Sequence, residues 1–590
     1  KDYENTPGNF VRTRSATAYY NRDFRQTYNA VLNYNETFFL DHHVEVMLGM
    51  EYYNKYQRGF EAQGQGAPTD DLPDLSLTDK GEGKRTINSW HEKQRILSFF
   101  GRLNYDFKDK YLLSFVFRRD GYSSLLGDNR WGFFPGVSAG WIFGREDFIK
   151  EAIPVMSFGK LRASYGINGN ASGIGAYTLQ GSYGSSNSNG SFNYNGNTSY
   201  LITELPNPNL RWEKTATFEV GADLSFFANR LNTNLTYYNR LTSDKYAALS
   251  FPTSTGFSSV TNNNGEFRNQ GIEIELSGKI IDSKDWTWSA SGNIAFNKNK
   301  IVSLPDNGME RNRINAFQVY TGNGDEKKWV GGQQEGQEPG ILYLYQADGI
   351  YRSYDEIPAN LVRKYGSRTY YGPEAWNKLT AEQQNATTNF PIQPGDTKFH
   401  DVNGDDVIDE FDKVKVGATS PRWTGGFNTT LRWKNFQLYG RFDYALGFWL
   451  YENSGTQSTT PWFMGCYQGT YNTPTMYYDT WSESNPNAKY PRYLFADQNG
   501  KNNYIASTMF AYRGDYLAIR EISLSYSLPE SVAKMLKMQR AEVSITGQNL
   551  GYITGAKNVG SPEANPKDNG AVGQGYSLPR TILFGVNLTF

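Results

Sequence analysis

The chain has 590 residues and a formal net charge of −1, and it is polar on average although it holds 42 Tyr, 36 Phe and 13 Trp. Near-zero charge without a basic stripe excludes a nucleic-acid binder. The single cysteine, Cys466, excludes an intrachain disulfide and a cysteine-based zinc site, and no run of ~18 apolar residues exists to form a membrane helix. Two all-β classes remain: a soluble one, and a transmembrane β-barrel, whose strands need only about 9–11 residues with every second one apolar.

In chain order, the sequence opens on Lys1, Asp2 and Tyr3 without a signal-peptide pattern and reads as a partial chain. Extended pieces follow at 8–20, 24–37 and 41–54. Residues 97–107 put Leu97, Phe99, Gly101, Leu103, Tyr105 and Phe107 on one face, and Ser98, Phe100, Arg102, Asn104 and Asp106 on the other. Further strands fit at 110–119, 132–144, 158–166, 212–227, 230–240 and 268–281. Residues 286–296 alternate again, Trp286, Trp288, Ala290, Gly292, Ile294 and Phe296 against a polar set. Strands at 422–433, 436–446, 514–528, 540–549 and 582–590 complete a series of about sixteen. Within 514–528 the apolar parity switches from Leu517 and Ile519 to Ile522, Leu524, Tyr526 and Leu528, which predicts a β-bulge near Arg520-Glu521.

The connections alternate short and long. Short ones fall at Lys108–Lys110, Ala228–Asn229, Ser283–Lys284 and Lys434–Asn435, with a longer one at Pro529–Met538. Long ones cover 55–92, 167–211, 241–267, 300–421, 447–513 and 550–579. Short turns on one side and long loops on the other are the pattern of an outer-membrane barrel, the long loops facing outward. The fold class expected is therefore an all-β, transmembrane antiparallel β-barrel.

Several blocks carry a family resemblance. FRRDGYSS at 117–124, NRWGFFP at 129–135 and SAGW at 138–141 come first. LRASYG at 161–166 follows with NGN at 168–170, NPNLRWE at 207–213 and RNQGIE at 268–273. YQADGI at 345–350, PRWTGGF at 421–427, WSESNPNAKYP at 481–491, YLAIREI at 516–522 and TGQNL at 546–550 complete the set. Together, over roughly residues 10–590, they resemble the SusC-like (SusC/RagA) TonB-dependent outer-membrane transporters. The resemblance implies a barrel of about 22 strands, with an N-terminal plug, a TonB box and the first strands lying outside this sequence, and residues 300–421 as a long extracellular insertion. It further implies import of oligosaccharides beneath a SusD-like surface lipoprotein lid, driven by TonB-ExbB-ExbD through the N-terminal region. Other implied associations are outer-membrane lipid, a dimer of transporter–lid pairs, and surface glycan hydrolases or glycan-binding lipoproteins. A peptide importer of the same family and a passive porin are the competing readings.

The sharpest local motif is DVNGDDVIDEFD at 401–412. Asp401, Asn403, Asp405, Asp409 and Asp412 supply oxygens at positions 1, 3, 5, 9 and 12, and Val407 its carbonyl at 7, which is the ligand spacing of an EF-hand-type Ca²⁺ loop. Asp406 stands where that loop has glycine, and Asp412 where it has glutamate. A similar loop occurs in SusC-like relatives, and the expected role is to pin the 300–421 insertion. The competing reading is an acidic loop held by Asx turns. Trp462 and Phe463 with Tyr467 and Tyr471 could stack on sugar rings, as could Tyr371 and Trp376 with less support; packing within the loop is the alternative. Polar wall residues Arg102, Glu219, Asp223, Glu273, Glu275, Arg432, Arg441 and Asp443 are expected to face the lumen. No GxSxG, phosphate-cradling glycine loop or His–carboxylate set is present, so no enzyme is expected. His42 and His43 are adjacent and would face opposite sides of a strand.

Overall fold

The computed structural model describes residues 14–67, 69, 71, 74–81, 83–184, 193–194, 197–198, 200–451, 479–492, 507–556, 561–563 and 578–590. Fifteen strands form one sheet in which every strand pairs with its neighbours in sequence. They are β1 (Ser15–Phe38), β2 (His42–Gln65), β3 (Arg85–Phe107), β4 (Tyr111–Tyr122), β5 (Trp131–Trp141), β6 (Met156–Asn170), β7 (Glu213–Phe226) and β8 (Leu231–Ser250). β9 (Ser259–Asp282), β10 (Trp286–Ser303), β11 (Trp423–Trp433), β12 (Phe436–Leu446), β13 (Tyr516–Ser527), β14 (Arg540–Thr554) and β15 (Thr581–Thr589) follow. Fifteen replaces about sixteen because the pieces expected at 8–20 and 24–37 belong to one strand: β1 runs unbroken through Asn21, Arg22 and Asp23, each paired with β2.

The short turns lie where the sequence puts them. Non-glycine residues at positive φ make them tight: Lys108 (56°) and Asp109 (50°), Ala228 (54°) and Asn229 (62°), and Lys434 (51°). The long connections are shorter than expected. β2 continues to Gln65 and β3 starts at Arg85, so the 55–92 loop shrinks to 66–84, and 241–267 shrinks to 251–258. Antiparallel backbone pairing needs no apolar side chain, so it continues past the point where the alternation fades.

Two compact units divide the chain. The first holds β1–β5 with 162–218 and 240–266. Here several resemblance blocks meet in one cluster. Tyr122, Leu125, Phe134, Leu179, Leu210 and Trp212 are buried together, the Trp212 indole N–H donates to the Arg130 carbonyl at 3.0 Å, and the Phe134 and Trp212 rings meet edge to face at 5.4 Å. Glu213 accepts from Asn170 Nδ2 at 2.8 Å and from the Tyr246 amide at 2.7 Å.

The second unit holds 142–161, 219–239 and 267–590. Its apolar strand face is bounded by aromatic rows at both ends. Trp286–Trp433, Trp433–Phe436 and Phe436–Tyr526 stand 5.7, 5.9 and 4.6 Å apart at the short-turn end, and Phe296–Trp423 stand 4.7 Å apart at the other. These are the two interfacial girdles of a membrane barrel. Between β10 and β11, residues 304–422 fold on a core of their own built from Tyr345, Tyr351, Ile357, Leu361, Tyr370, Ile392, Phe399 and Ile408, and Leu342 and Leu344 join a second cluster with Tyr451, Tyr490 and Phe510. The expected long loop is thus a folded insertion.

Glycine and aromatic abundance share one cause. Gly49 faces Phe100, Gly59 faces Trp90, Gly101 faces Phe117 and Gly121 faces Trp131, each as a direct cross-strand pair. The ring lies over the bare backbone, so a Cβ on Gly101 would stand 2.6 Å from Phe117 Cε1 and 3.0 Å from Leu48 Cδ2. Gly101→Val is therefore expected to lower barrel stability by about 1–3 kcal/mol, read as a downward shift in the midpoint of urea unfolding by tryptophan fluorescence, whereas Thr287→Val on the polar face leaves the midpoint within error.

Candidate functional site

The polar face of the second unit carries a recess of about 580 Å³. Alternation aims polar residues of β7 through β12 into it: Asp223, Asn232, Asn234, Glu275, Ser291, Asn293, Asn428, Arg441 and Asp443 among its lining. Register fixes neighbours, with Ser291 opposite Asn428, Asn293 opposite Gly426, Asn428 opposite Arg441 and Gly426 opposite Asp443. Asn234 Nδ2 donates to Asp223 Oδ1 at 2.9 Å, Ser291 Oγ to Asn428 Oδ1 at 3.0 Å, and the Gly426 amide to Asn293 Oδ1 at 2.8 Å. The Glu275 and Arg441 side chains make no hydrogen bond or ion pair among the described residues, so both can serve a guest. Of the wall residues expected from sequence, Asp223, Glu275, Arg441 and Asp443 converge here. Arg102 instead pairs with Glu45 at 3.1 Å in the first unit.

The predicted bulge is present and has a task. Register slips between Arg441 and Phe442 opposite Ile519 and Glu521, leaving Arg520 as the extra residue of β13. Its guanidinium Nε donates to Asp443 Oδ2 at 2.7 Å, Nη1 to Glu563 Oε2 at 2.9 Å, and Nη2 to Glu563 Oε1. Tyr516 and Tyr552 hydroxyls donate to the same carboxylate at 2.9 and 2.8 Å. One side chain thus ties the wall at Asp443 to the connection between β14 and β15. Nothing in the periodicity marks Glu563, which lies in a connection, and the amides of Asn232 and Asn234 were legible only as polar-parity positions of β8.

The Asp-rich loop holds itself. Asp401 accepts from the Gly404 and Asp406 amides, each at 2.8 Å, Asp405 from Val407 at 2.8 Å, and Asp409 from Phe411 at 2.9 Å. Asp412 accepts from Val402 at 2.9 Å and Asp409 at 2.7 Å. Asp406 adopts φ 62°, the left-handed turn that an EF-hand loop asks of its sixth residue. Among the described residues Asn403 Oδ1 is buried without a partner, and burial pushes the Asp412 carboxyl up to about 6, with Asp409 and Asp401 adding to the rise. Among the described residues no three His, Cys, Asp or Glu side chains already converge as a coordination shell. The backbone fits the ion, and Asp401 and Asp405 would have to exchange amide partners for it.

Trp462, Phe463, Tyr467 and Tyr471 lie outside the described residues. Tyr371 and Trp376 are half-buried with rings 6.1 Å apart. His42 bonds Tyr105 at 2.8 Å and His43 bonds Thr37 at 3.1 Å on the opposite face.

Residues 1–360 match the family described as TonB dependent receptor-like, beta-barrel. The chain belongs to that family. Relatives of this barrel family include TonB-dependent receptor P3 of Formosa agariphila, 28% identical over 96% of this chain and 53% of its own length. TonB-dependent receptor SusC of Bacteroides thetaiotaomicron is 26% identical over 92% of this chain and 48% of its own. The SusC-type resemblance read from the motifs therefore holds. Among solved structures, the RagAB peptide importer in its "open-open" state superposes with a TM-score of 0.72 at 22% identity, over 99% of this chain and 57% of that one. The chain spans about half the length of the curated relatives it matches. As a member of this barrel family it is an outer-membrane protein, related to receptors and not to enzymes.

Burial opposes charge on Glu563, yet the hydrogen bonds from Arg520, Tyr552 and Tyr516 and the Arg520 charge hold its carboxyl below the usual range. A lowered folded value gives stability that is present above the unfolded carboxylate range and is lost as pH falls through the folded value. Protection of Tyr552 and its neighbours against hydrogen exchange is expected to persist through the ordinary glutamate range and to be lost only as pH falls below it. Glu563→Gln should show the fast exchange at every pH; protection already lost near neutral pH would contradict the assignment.

Proposed function

We propose that this chain forms most of the wall of a TonB-dependent importer that carries oligosaccharides across the outer membrane beneath a SusD-like lipoprotein lid. The observation that carries this reading is the recess on the polar face, where four Asn amides and three Ser hydroxyls lie among the carboxylates of Asp223, Glu275 and Asp443 and the Arg441 guanidinium. Amides and hydroxyls match the alternating donors and acceptors of sugar hydroxyls, and they bind without demanding a fixed guest charge. TonB-ExbB-ExbD would act through a plug-bearing N-terminal region, with transporter–lid pairs assembled as dimers and with surface glycan hydrolases or glycan-binding lipoproteins attached. Import of peptides is the outcome that would replace this reading.

In the full-length transporter, Asn234→Leu with Asn428→Leu is expected to reduce uptake of the cognate oligosaccharide by about tenfold or more, because a wall built to hydrogen-bond its guest is left with unmatched apolar surface. Uptake is followed with labelled oligosaccharide and labelled peptide pools in whole cells, alongside mass spectrometry of the gently extracted complex. Unchanged sugar uptake by a correctly folded variant, uptake of peptide alone, or a complex lacking any lipoprotein would overturn the proposal.

The 401–412 loop is further proposed to bind Ca²⁺ through Asp401, Asn403, Asp405, the Val407 carbonyl, Asp409 and Asp412, fastening the 304–422 insertion. The ion would supply the positive charge that a run of carboxylates lacks. Millimolar Ca²⁺ is expected to raise the protease resistance of the insertion while Mg²⁺ does not, and Asp405→Ala with Asp409→Ala should abolish the difference. Equal resistance with and without Ca²⁺ would show a loop held by its Asx turns alone.

A further inference from the structure

On β1 to β4 the apolar face of the first unit ends in a girdle, and what lies beyond it is not a neutral surface. Tyr28 pairs with Tyr52, Tyr52 with Leu97, Leu97 with Gly121 and Gly121 with Trp131, with the Tyr28 and Tyr52 rings stacked 6.5 Å apart. Moving away from the short turns on the same face, the next rows are Gln26, Asn54 and Arg95, then Phe24, Tyr56 and Lys93, then Arg22, Arg58 and His91. Arg119 shares this face one row on the short-turn side of the girdle, opposite Phe99 and Phe133, and lies over the Trp131 ring at 5.1 Å.

Three observations converge on these rows. First, the acids of this region, Asp23, Glu51, Glu61, Glu92 and Asp120, fall on the opposite parity, and the only acid on the outward parity of β1–β5 is Glu36, near the short-turn end. Second, Arg22, Arg58, Lys93, Arg95 and Arg119 are all exposed and make no ion pair among the described residues. Third, Arg22 and Arg58 stand directly opposite each other in register. Like charges directly opposite across a ladder are destabilising, so this placement asks for an anion between them. In the second unit the parity of β10 repeats the order, Phe296 being followed by Lys298 and Lys300.

We infer that this outward basic patch docks the phosphate groups of a phosphorylated glycolipid in the outer leaflet. The long-connection end of an outer-membrane barrel faces the exterior, which puts the rows of Arg95, Lys93, Arg58 and Arg22 at headgroup height immediately above the girdle, with Arg119 at the girdle's lower edge. Guanidinium forks bind phosphate oxygens in pairs, the lysine adds a point charge, and Phe24 and Tyr56 between the cations offer apolar surface to the glycolipid's upper chains and sugar rings. The inner-face arginines are spent in the wall, Arg118 on Asp120 and Glu51, Arg102 on Glu45 and Arg25 on Asp23, so the separation is between outward cations that face no carboxylate among the described residues and inward arginines already matched.

The test is native mass spectrometry of the full-length transporter, extracted in mild detergent, delipidated, and titrated with purified lipopolysaccharide or with its enzymatically dephosphorylated form. Wild type is expected to retain the phosphorylated form and not the dephosphorylated one. Arg58→Gln, Lys93→Gln, Arg95→Gln and Arg119→Gln combined should bind at least about tenfold more weakly, while Arg25→Gln with Lys55→Gln on the inner face changes nothing. Equal binding of the two glycolipid forms by wild type overturns the proposal whether or not the fourfold variant folds. So does equal binding by wild type and a correctly folded fourfold variant.

Discussion

A strand that crosses a bilayer finds no water for its amides and carbonyls, so each must be matched by the next strand. The remaining features of this chain are arranged around that requirement. Consecutive strands pair in sequence order without a crossover, which leaves side chains free to differ on the two faces. The lipid face becomes smooth where rings fold over glycines, and the opposite face becomes the place where chemistry can be put. A chain that is polar on average can therefore live in a membrane, since only one parity of each strand meets lipid.

The one local breach of regular pairing is where the wall is joined to a connection. Inserting a residue at Arg520 turns its side chain toward Asp443 and frees it to grip Glu563. The arrangement resembles other bulges in re-aiming a side chain at a useful target. It also means that the polar recess and the β14–β15 connection are not independent, because Asp443 lines the first while its partner arginine holds the second.

Much of this was readable in the sequence, for reasons that can be stated. Parity gave the strands, the short turns and the bulge, since a period of two flips a whole apolar set when one residue is added. The inward parity of Asp223, Glu275, Arg441 and Asp443 was readable for the same reason. Strand length was not, because backbone pairing in β1, β2, β8 and β9 continues through residues with no hydropathy pattern. Nor was the insertion's internal order, whose buried Tyr345, Tyr370 and Phe399 come from short strands too brief to show a period. Glu563 was invisible because a connection carries no parity at all, and the spacing of the Asp-rich loop could not tell whether its carboxylates serve amides or an ion.

The insertion leaves the wall between two strands that are themselves paired. Phe296 faces Trp423 in register, and the Asn297 amide donates to the Arg422 carbonyl at 3.0 Å, so the strands that carry the insertion are tied together at its foot, with residue 297 beside 422. Closing it therefore asks little entropy of the barrel, and it carries one buried cluster of its own, while Leu342 and Leu344 are covered by Tyr451, Tyr490 and Phe510 of the next connection and Asp396 is held by Arg492. Two outward segments therefore share one core and must drift as a pair: a change of volume at Leu342 or Leu344 calls for an answering change at Tyr451, Tyr490 or Phe510, while the strands below are spared it.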